Sequence, residues 1–279
     1  MLKNTIAILV ALIITLATAY LQRVTGPTYP LKESIEINDN LYEFKLNRSS
    51  GPENMKVDIP AEVCKYNPIL YFKRYKIDTN WETRYFMHAD SACMAFLPMQ
   101  PPAGKIEYKI KVTDKLNDVQ IPKDRAVIVR FKGEVPGIFL IPHIIFVFMA
   151  MFFSNWTGLH CLMINKTDER LIWLTVISLF IGGLLFGPVV QKYAFGELWT
   201  GIPKGWDLTD NKTIIAFIIW ILALIHNRIT MKKRIVLLAS LVMLIIFSIP
   251  HSLLGSELDY ETGQVTTGFI TNICDFFCK

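Results

Sequence analysis

Five long apolar runs limit what this chain can fold into. They contain no Asp, Glu, Lys or Arg, and with their Trp, Tyr, Ser and Thr flanks they approach the roughly 20 residues that a membrane-spanning helix needs. Hydrophobic residues make up 52% of the 279 positions and charged residues 19%, which is too apolar for an ordinary soluble domain. We therefore expect an integral membrane protein. The runs are Ile6–Tyr20, Ile138–Phe153, Leu171–Phe186, Thr213–Ile225 and Ile235–Ile249.

The long segment between the first two runs has a different pattern. Apolar and polar residues alternate over short stretches, which is typical of half-buried strands, and clusters of Pro, Gly, Asn and Ser separate the stretches. Short strands at such spacing predict a β-sandwich of the immunoglobulin-like or fibronectin-like kind. The clearest stretches are Tyr42–Leu46, Met55–Ile59, Ile106–Val112 and Val127–Phe131.

These patterns predict an α+β membrane protein with four parts. Residues 1–24 form an N-terminal transmembrane anchor, residues 25–134 an external β-sandwich, residues 135–255 a four-helix transmembrane bundle, and residues 256–279 an external tail. The first run has an alternative, because Lys3, the apolar stretch and Ala17-Thr18-Ala19 are also typical of a cleaved secretory signal. Both interpretations export the β-domain, and only the number of spanning helices differs.

The distribution of Lys and Arg predicts the orientation of the chain. Short cytoplasmic loops carry an excess of basic residues. The block Met231–Arg234 therefore predicts that its own loop, and every second loop from it, is cytoplasmic. The N-terminus is then cytoplasmic, whereas the β-domain and the C-terminus lie outside. The cytoplasmic set is Lys3, Lys166, Arg170, Arg228, Lys232, Lys233 and Arg234, against Lys192, Lys204, Lys212 and Lys279 on the outer side.

The net charge of +5 is explained by this topology and does not indicate nucleic-acid binding. The basic residues are scattered, and no stripe of Lys and Arg interleaved with aromatic residues is visible. Soluble-enzyme motifs such as G-x-S-x-G, G-x-G-x-x-G and H-E-x-x-H are also missing from the sequence. We expect the lipid bilayer and a protein in the membrane or periplasm as partners.

The five cysteines fall into separate parts of the chain. Cys64 and Cys93 belong to the exported domain, where thiols tend to be oxidised, so a Cys64–Cys93 disulfide is a hypothesis. Cys274 and Cys278 either pair locally or act as small hydrophobic residues at the membrane surface.

Four of the five histidines lie in or beside the apolar runs, which raises b-type haem as an alternative. The predicted topology places His143 and His251 near the outer face, and His160 and His226 near the cytoplasmic face. The 17-residue step from His143 to His160 turns a helix by about 260°, so these two do not line one surface. Three of the four lie at the ends of runs, where imidazole reaches water easily. Our leading prediction therefore includes no cofactor and no metal.

The outer loops are rich in polar and aromatic residues and form our candidate ligand site. If they converge, the cluster binds a small ligand, a cation or a lipid headgroup. The structural alternative is that Trp206 belongs to an interfacial aromatic belt and that Asp210 caps a helix. The predicted cluster consists of Lys192, Trp206, Asp207, Asp210, His251, Glu257 and Asp259.

Soft potential ligands in the β-domain also raise the question of copper. Met87, His88, Cys93, Met94 and Met99 lie near one another in sequence, and Cu(I) prefers such ligands. Their spacing is unlike a compact motif, and Met in a strand is usually a core residue.

Three segments carry a resemblance to a known group of proteins. The segments Tyr20–Pro30, Leu97–Lys105 and Gly205–Lys212 with Pro250-His251-Ser252 together resemble bacterial membrane proteins, without an assigned activity, in which an exported sandwich precedes a small helical bundle. The resemblance implies a bacterial inner-membrane setting with a periplasmic β-domain, and it implies no reaction and no site residues. We expect an accessory or binding protein whose β-domain is coupled to the helices through the short hinge before Ile138. A membrane redox subunit and a membrane enzyme using the outer polar cluster are the alternatives.

Overall fold

The protein, seen in a computed structural model, has two compact units. The helical unit contains Met1–Pro27 and Val135–Ser256, and the β-unit contains Thr28–Glu134 together with Glu257–Thr266. The structure describes residues 2–37, 39–89, 92–114, 117–230, 232–250 and 255–267. His251, Cys274 and Cys278, which appear in the predictions above, lie outside these residues.

Four of the five apolar runs lie wholly within helical segments, and the fifth does so up to its last residue, Ile249, which follows the last helix. Four helical stretches of the described chain are long and apolar enough to cross a membrane, namely Leu2–Val24, Gly137–Ile164, Glu169–Phe195 and Leu208–Thr230. The last run lies in a helix of 16 residues, which at 1.5 Å per residue is about 24 Å long and shorter than a hydrocarbon core of about 30 Å. The helices are α1 (Leu2–Val24), α2 (Gly137–Ile164), α3 (Glu169–Leu179), a π-helix (Phe180–Phe186), α4 (Gly187–Phe195), α5 (Leu208–Thr230) and α6 (Lys233–Ser248).

The helical unit packs through small and polar side chains. Ala7 and Ala11 of α1 are buried, and the Asn155 amide of α2 donates to Thr15 Oγ1 of α1 at 3.0 Å. Between α5 and α6, the fully buried Trp220 indole points its N–H at the sulfur of Met243 at 3.0 Å. The outward faces carry exposed Leu, Ile and Phe, which is the surface that a lipid environment requires.

The β-unit contains a mixed sheet, a smaller antiparallel sheet and two hairpins. The mixed sheet has the order β3-β11-β9-β5-β6, with β10 paired to β9, and the smaller sheet has the order β4-β8-β7. All four of the predicted alternating stretches are strands, and their apolar positions point into one core that both sheets share. The strands are β1 (Leu31–Ile37), β2 (Asn40–Leu46), β3 (Ser49–Ser50), β4 (Met55–Ile59), β5 (Ile69–Arg74), β6 (Glu82–Tyr85), β7 (Met87–Ala89), β8 (Ala92–Leu97), β9 (Lys105–Asp114), β10 (Asn117–Ile121), β11 (Val127–Phe131), β12 (Ser256–Leu258) and β13 (Val265–Thr267).

The segment after α6 returns to the β-unit. Strands β12 and β13 form a hairpin, and the Leu258 N–H donates to the carbonyl of Ala103 at 3.2 Å. The Tyr260 hydroxyl donates to Gln100 Oε1 at 2.8 Å. The described part of the predicted tail is therefore a folded part of the β-unit.

The predicted disulfide joins the smaller sheet to a short 3-10 helix. Cys64 in Ala61–Tyr66 and Cys93 in β8 are bonded, with an Sγ–Sγ distance of 1.97 Å and a Cα–Cα distance of 5.7 Å. The remaining described cysteine, Cys161, is a buried free thiol in α2.

Candidate functional site

Asp210 in the first turn of α5 organises the loop that follows α4. Its Oδ2 accepts hydrogen bonds from the N–H groups of Thr200 at 2.6 Å and Gly201 at 2.9 Å, from the Thr200 hydroxyl at 3.2 Å and from Gln191 Nε2 at 3.1 Å. The side chain is buried. Four donors and the positive end of a helix compensate the charge of a buried carboxylate. Asp210 therefore anchors the loop through bonds that leave Oδ2 little capacity for a ligand.

Lys212 and Gln22 together cap the short helix α6. Lys212 is 3% exposed, and its Nζ donates to the carbonyl of Ile249 at 2.8 Å. Gln22 Nε2 of α1 donates to the same carbonyl at 3.0 Å and to that of Phe247 at 2.6 Å. The last carbonyls of a helix have no partner within the helix, and in a membrane they need donors from the protein. Side chains from α1 and α5 supply those donors.

The six described residues of the predicted outer cluster have different environments. In the helical unit, Lys192 and Trp206 are exposed, whereas Asp207 is buried and its Oδ1 accepts the Thr209 N–H at 2.8 Å, as a helix cap does. Glu257 and Asp259 belong to the β-unit. The structure thus places Asp207 just before α5 and Asp210 in its first turn, and gives both a structural role.

Glu257 holds the β12–β13 hairpin on the β-unit. Its carboxylate lies 3.0 Å from Lys105 Nζ and 3.4 Å from Lys76 Nζ. Burial alone would raise the pKa of Glu257, but the two ammonium groups hold it below its usual value. Burial also lowers the pKa of Lys105. The side chains of Glu257 and Lys105 in this ion pair are only 15% and 16% exposed.

His143 of α2 contacts the π-helix Phe180–Phe186, which lies between α3 and α4. Its Nδ1 is 2.8 Å from the carbonyl of Gly182, and because a carbonyl only accepts, Nδ1 is the protonated nitrogen and Nε2 keeps a lone pair. A Cβ on Gly182 would lie 2.7 Å from the backbone nitrogen of Val147, so glycine is required for this close approach to α2. His160 Nδ1 faces the carbonyl of Lys166 at 3.2 Å.

Metal-binding groups are few in the described residues. No three of their His, Cys, Asp and Glu side chains are placed to hold a metal ion. Of the copper set, Cys93 is in the disulfide. Met87 and Met94 are cross-strand neighbours, and His88, next to Met87 in β7, projects from the opposite face.

One surface of the β-unit carries a cluster that the sequence did not reveal. Tyr71, Lys73, Trp81, Lys109 and Lys111, here called the cationic face, lie on the outer side of β5 and β9 and in the turn before β6. Lys109 Nζ and Lys73 Nζ are 4.6 Å and 5.0 Å from the centre of the Trp81 ring, and Lys111 Nζ is 5.3 Å from that of Tyr71. Strand pairing assembles this cluster from segments that are separate in sequence, which is why no continuous stripe is visible along the chain.

Comparison with known proteins adds no family to this description. No family model matches the chain, and neither the curated proteins nor the solved structures give a significant match.

Proposed function

We propose that this chain is an accessory binding protein of the bacterial inner membrane, with its β-unit and C-terminal hairpin in the periplasm and its N-terminus in the cytoplasm. The observation that carries the proposal is the composition of the β-unit, which contains residues from before and after the helical unit. Thr28–Glu134 and Glu257–Thr266 must lie on the same side of the membrane, because they fold together.

This shared side sets the number of membrane crossings between the two segments. The chain between Glu134 and Glu257 must cross an even number of times. Three of the long apolar helices lie in that interval, so α6 must be a fourth crossing despite its length. The capping of α6 by Gln22 and Lys212 supports this, because a short spanning helix ends where water is scarce and its carbonyls need protein donors.

We further propose that the β-unit is an immunoglobulin-like sandwich, and the strand order supports this. The orders β4-β8-β7 and β11-β9-β5 correspond to the B-E-D and G-F-C strands of that fold, and β3 pairs in parallel with β11 at the edge. Sandwiches of this kind commonly serve as binding modules.

Cysteine labelling with a membrane-impermeant maleimide tests the topology in intact cells whose outer membrane has been permeabilised. Single cysteines replace exposed residues: one in strand β6, one in each of the three connections between long helices, and one in the C-terminal hairpin. We expect Tyr85→Cys, Lys204→Cys and Glu261→Cys to react in these cells, and Lys166→Cys and Lys232→Cys to react only after the inner membrane is lysed. The pair Lys232 and Glu261 is decisive, because these positions flank α6.

The control is the parent chain with Cys161, Cys274 and Cys278 replaced by Ser, which retains the disulfide and should not react. If Lys232→Cys and Glu261→Cys react on the same side, α6 does not cross and the proposed topology is wrong. If all five positions react inversely, the β-unit is cytoplasmic and a periplasmic binding role is excluded.

The second candidate function is a redox subunit with b-type haem, favoured by the tautomer of His143. An Nδ1–H bonded to a carbonyl fixes the ring and leaves Nε2 as a ligand, which is the usual arrangement of metal-binding histidines. Protein purified from haem-supplied cells should then show a reduced-minus-oxidised haem band that His143→Ala abolishes and Thr213→Ala retains. A spectrum without this band excludes the redox role.

A further inference from the structure

The cationic face has the regular spacing of a binding surface. Lys109 and Lys111 are alternate residues of β9, so their side chains emerge on the same side of the sheet about 7 Å apart. Tyr71 lies directly opposite Lys109 on β5, and Lys73 lies opposite Glu107. Tyr71 and the three lysines therefore share the outer side of β5 and β9, and Trp81 in the turn before β6 lies against Lys73 and Lys109.

The charges of this face are not balanced within the β-unit. Glu107 lies 3.6 Å from Lys73, whereas no described carboxylate lies within 4 Å of Lys109 or Lys111. These two ammonium groups instead lie over the rings of Trp81 and Tyr71. A cation–π contact orients an ammonium group while leaving N–H donors available to an anion. Three positive charges against one negative charge give the face a net charge of +2.

The combination of flat rings and spaced cations selects the class of ligand. The face of a sheet presents side chains and no unpaired backbone groups, so a peptide cannot bind here by strand addition. A sugar ring places its C–H groups against an aromatic ring, and a sugar acid adds a carboxylate that an ammonium group can bind. We propose that the cationic face binds an anionic polysaccharide, whose carboxylates pair with Lys109 and Lys111 and whose sugar rings lie beside Trp81 and Tyr71. This inference rests on the proposed function, which places the face outside the cytoplasm.

Binding is measured with the full-length protein in detergent and with polygalacturonate oligosaccharides as the probe. We expect saturable binding that weakens with added salt, because the contacts are exposed ion pairs. The double variant K109Q/K111Q keeps the apolar stems that cover the sheet and should weaken binding by about tenfold or more. Trp81→Ala should do the same. The matched control K32Q/K45Q removes two charges from the facing positions of β1 and β2 and should leave the affinity unchanged.

Each other outcome overturns the inference. Equal or tighter binding of polyglutamate would identify an acidic protein segment, and preferential binding of a DNA oligonucleotide would identify a nucleic acid. A change in oligomeric state in K109Q/K111Q without an effect on polygalacturonate would identify a second copy of the chain. The labelling experiment separates this inference from the proposed function: correct topology without polygalacturonate binding rejects the ligand alone, and a cytoplasmic β-unit rejects the proposed function whatever the face binds.

Discussion

Asp210 is the residue on which the α4–α5 loop depends most. Asp210→Ala leaves the buried N–H groups of Thr200 and Gly201 without their acceptor, and we expect it to lower the free energy of unfolding by about 3–5 kcal/mol. Asp207→Ala removes a single cap bond to Thr209 and should cost about 1 kcal/mol. Equilibrium unfolding of the detergent-solubilised variants compares the two. Equal losses would contradict the different roles that the bonds assign to them.

Glu257 makes the docking of the β12–β13 hairpin sensitive to acid. Its pKa in the folded protein lies below the ordinary value because of Lys105 and Lys76, so the released hairpin binds more protons than the docked one. The ion pairs therefore stabilise docking fully above about pH 4.3, and this contribution is lost as the pH falls through the lower folded pKa. Hydrogen exchange of the Leu258 amide, corrected for its intrinsic rate, should therefore accelerate as the pH falls below about 4.3.

Glu257→Gln is the control for this acid sensitivity. The amide cannot titrate, so exchange at Leu258 should be faster than in the parent at neutral pH and should not change further on acidification. An unchanged acid response in this variant would place the titrating group elsewhere.

At the scale of elements, the end of α6 couples α1 to α5. Lys212→Met and Gln22→Leu keep much of the side-chain volume and remove the donors to Ile249. Each variant leaves one donor on that carbonyl, whereas the double variant leaves none, so the combined loss of stability should exceed the sum of the single losses by about 1 kcal/mol or more. A double-mutant cycle measures this excess. Additive losses would show that the two caps act independently.

The helices and four of the strands, β2, β4, β9 and β11, could be predicted from the sequence, because each follows from its own periodicity. The apolar runs end close to the helices that contain them, and β4 coincides with its alternating stretch Met55–Ile59. The π-helix could not be predicted, since it depends on the contact of Gly182 with α2 and on the bond to His143. The cationic face was missed for a related reason: Trp81 meets Lys109 only through the pairing of β5 with β9.

At the scale of the whole molecule, the sequence patterns predicted an exported β-domain joined to a helical bundle, with domain boundaries after residues 134 and 255. The second boundary separates Glu257 from Lys105, which lies 152 residues earlier and binds it at 3.0 Å. Such a contact between distant segments has no local periodicity. The residues of the predicted outer cluster are likewise divided between the two units. Glu257 and Asp259 belong to the β-unit, whereas Asp207 and Asp210 belong to the helical unit, where their carboxylates accept backbone hydrogen bonds from Thr209 and Gly201.

The hairpin's membership of the β-unit predicts what its removal should do. Deleting residues 257–266 takes away the acceptor of Lys105 and the partners of Gln100 and Ala103, so the buried ammonium group of Lys105 loses its ion pair at a cost of several kcal/mol. Hydrogen exchange of the deleted protein should show lost protection in β9, whereas α2 and α5, which pack within the helical unit, should keep theirs. Unchanged protection of β9 would mean that the 28–134 segment folds without the hairpin, and the shared-side argument for four crossings would lose its basis.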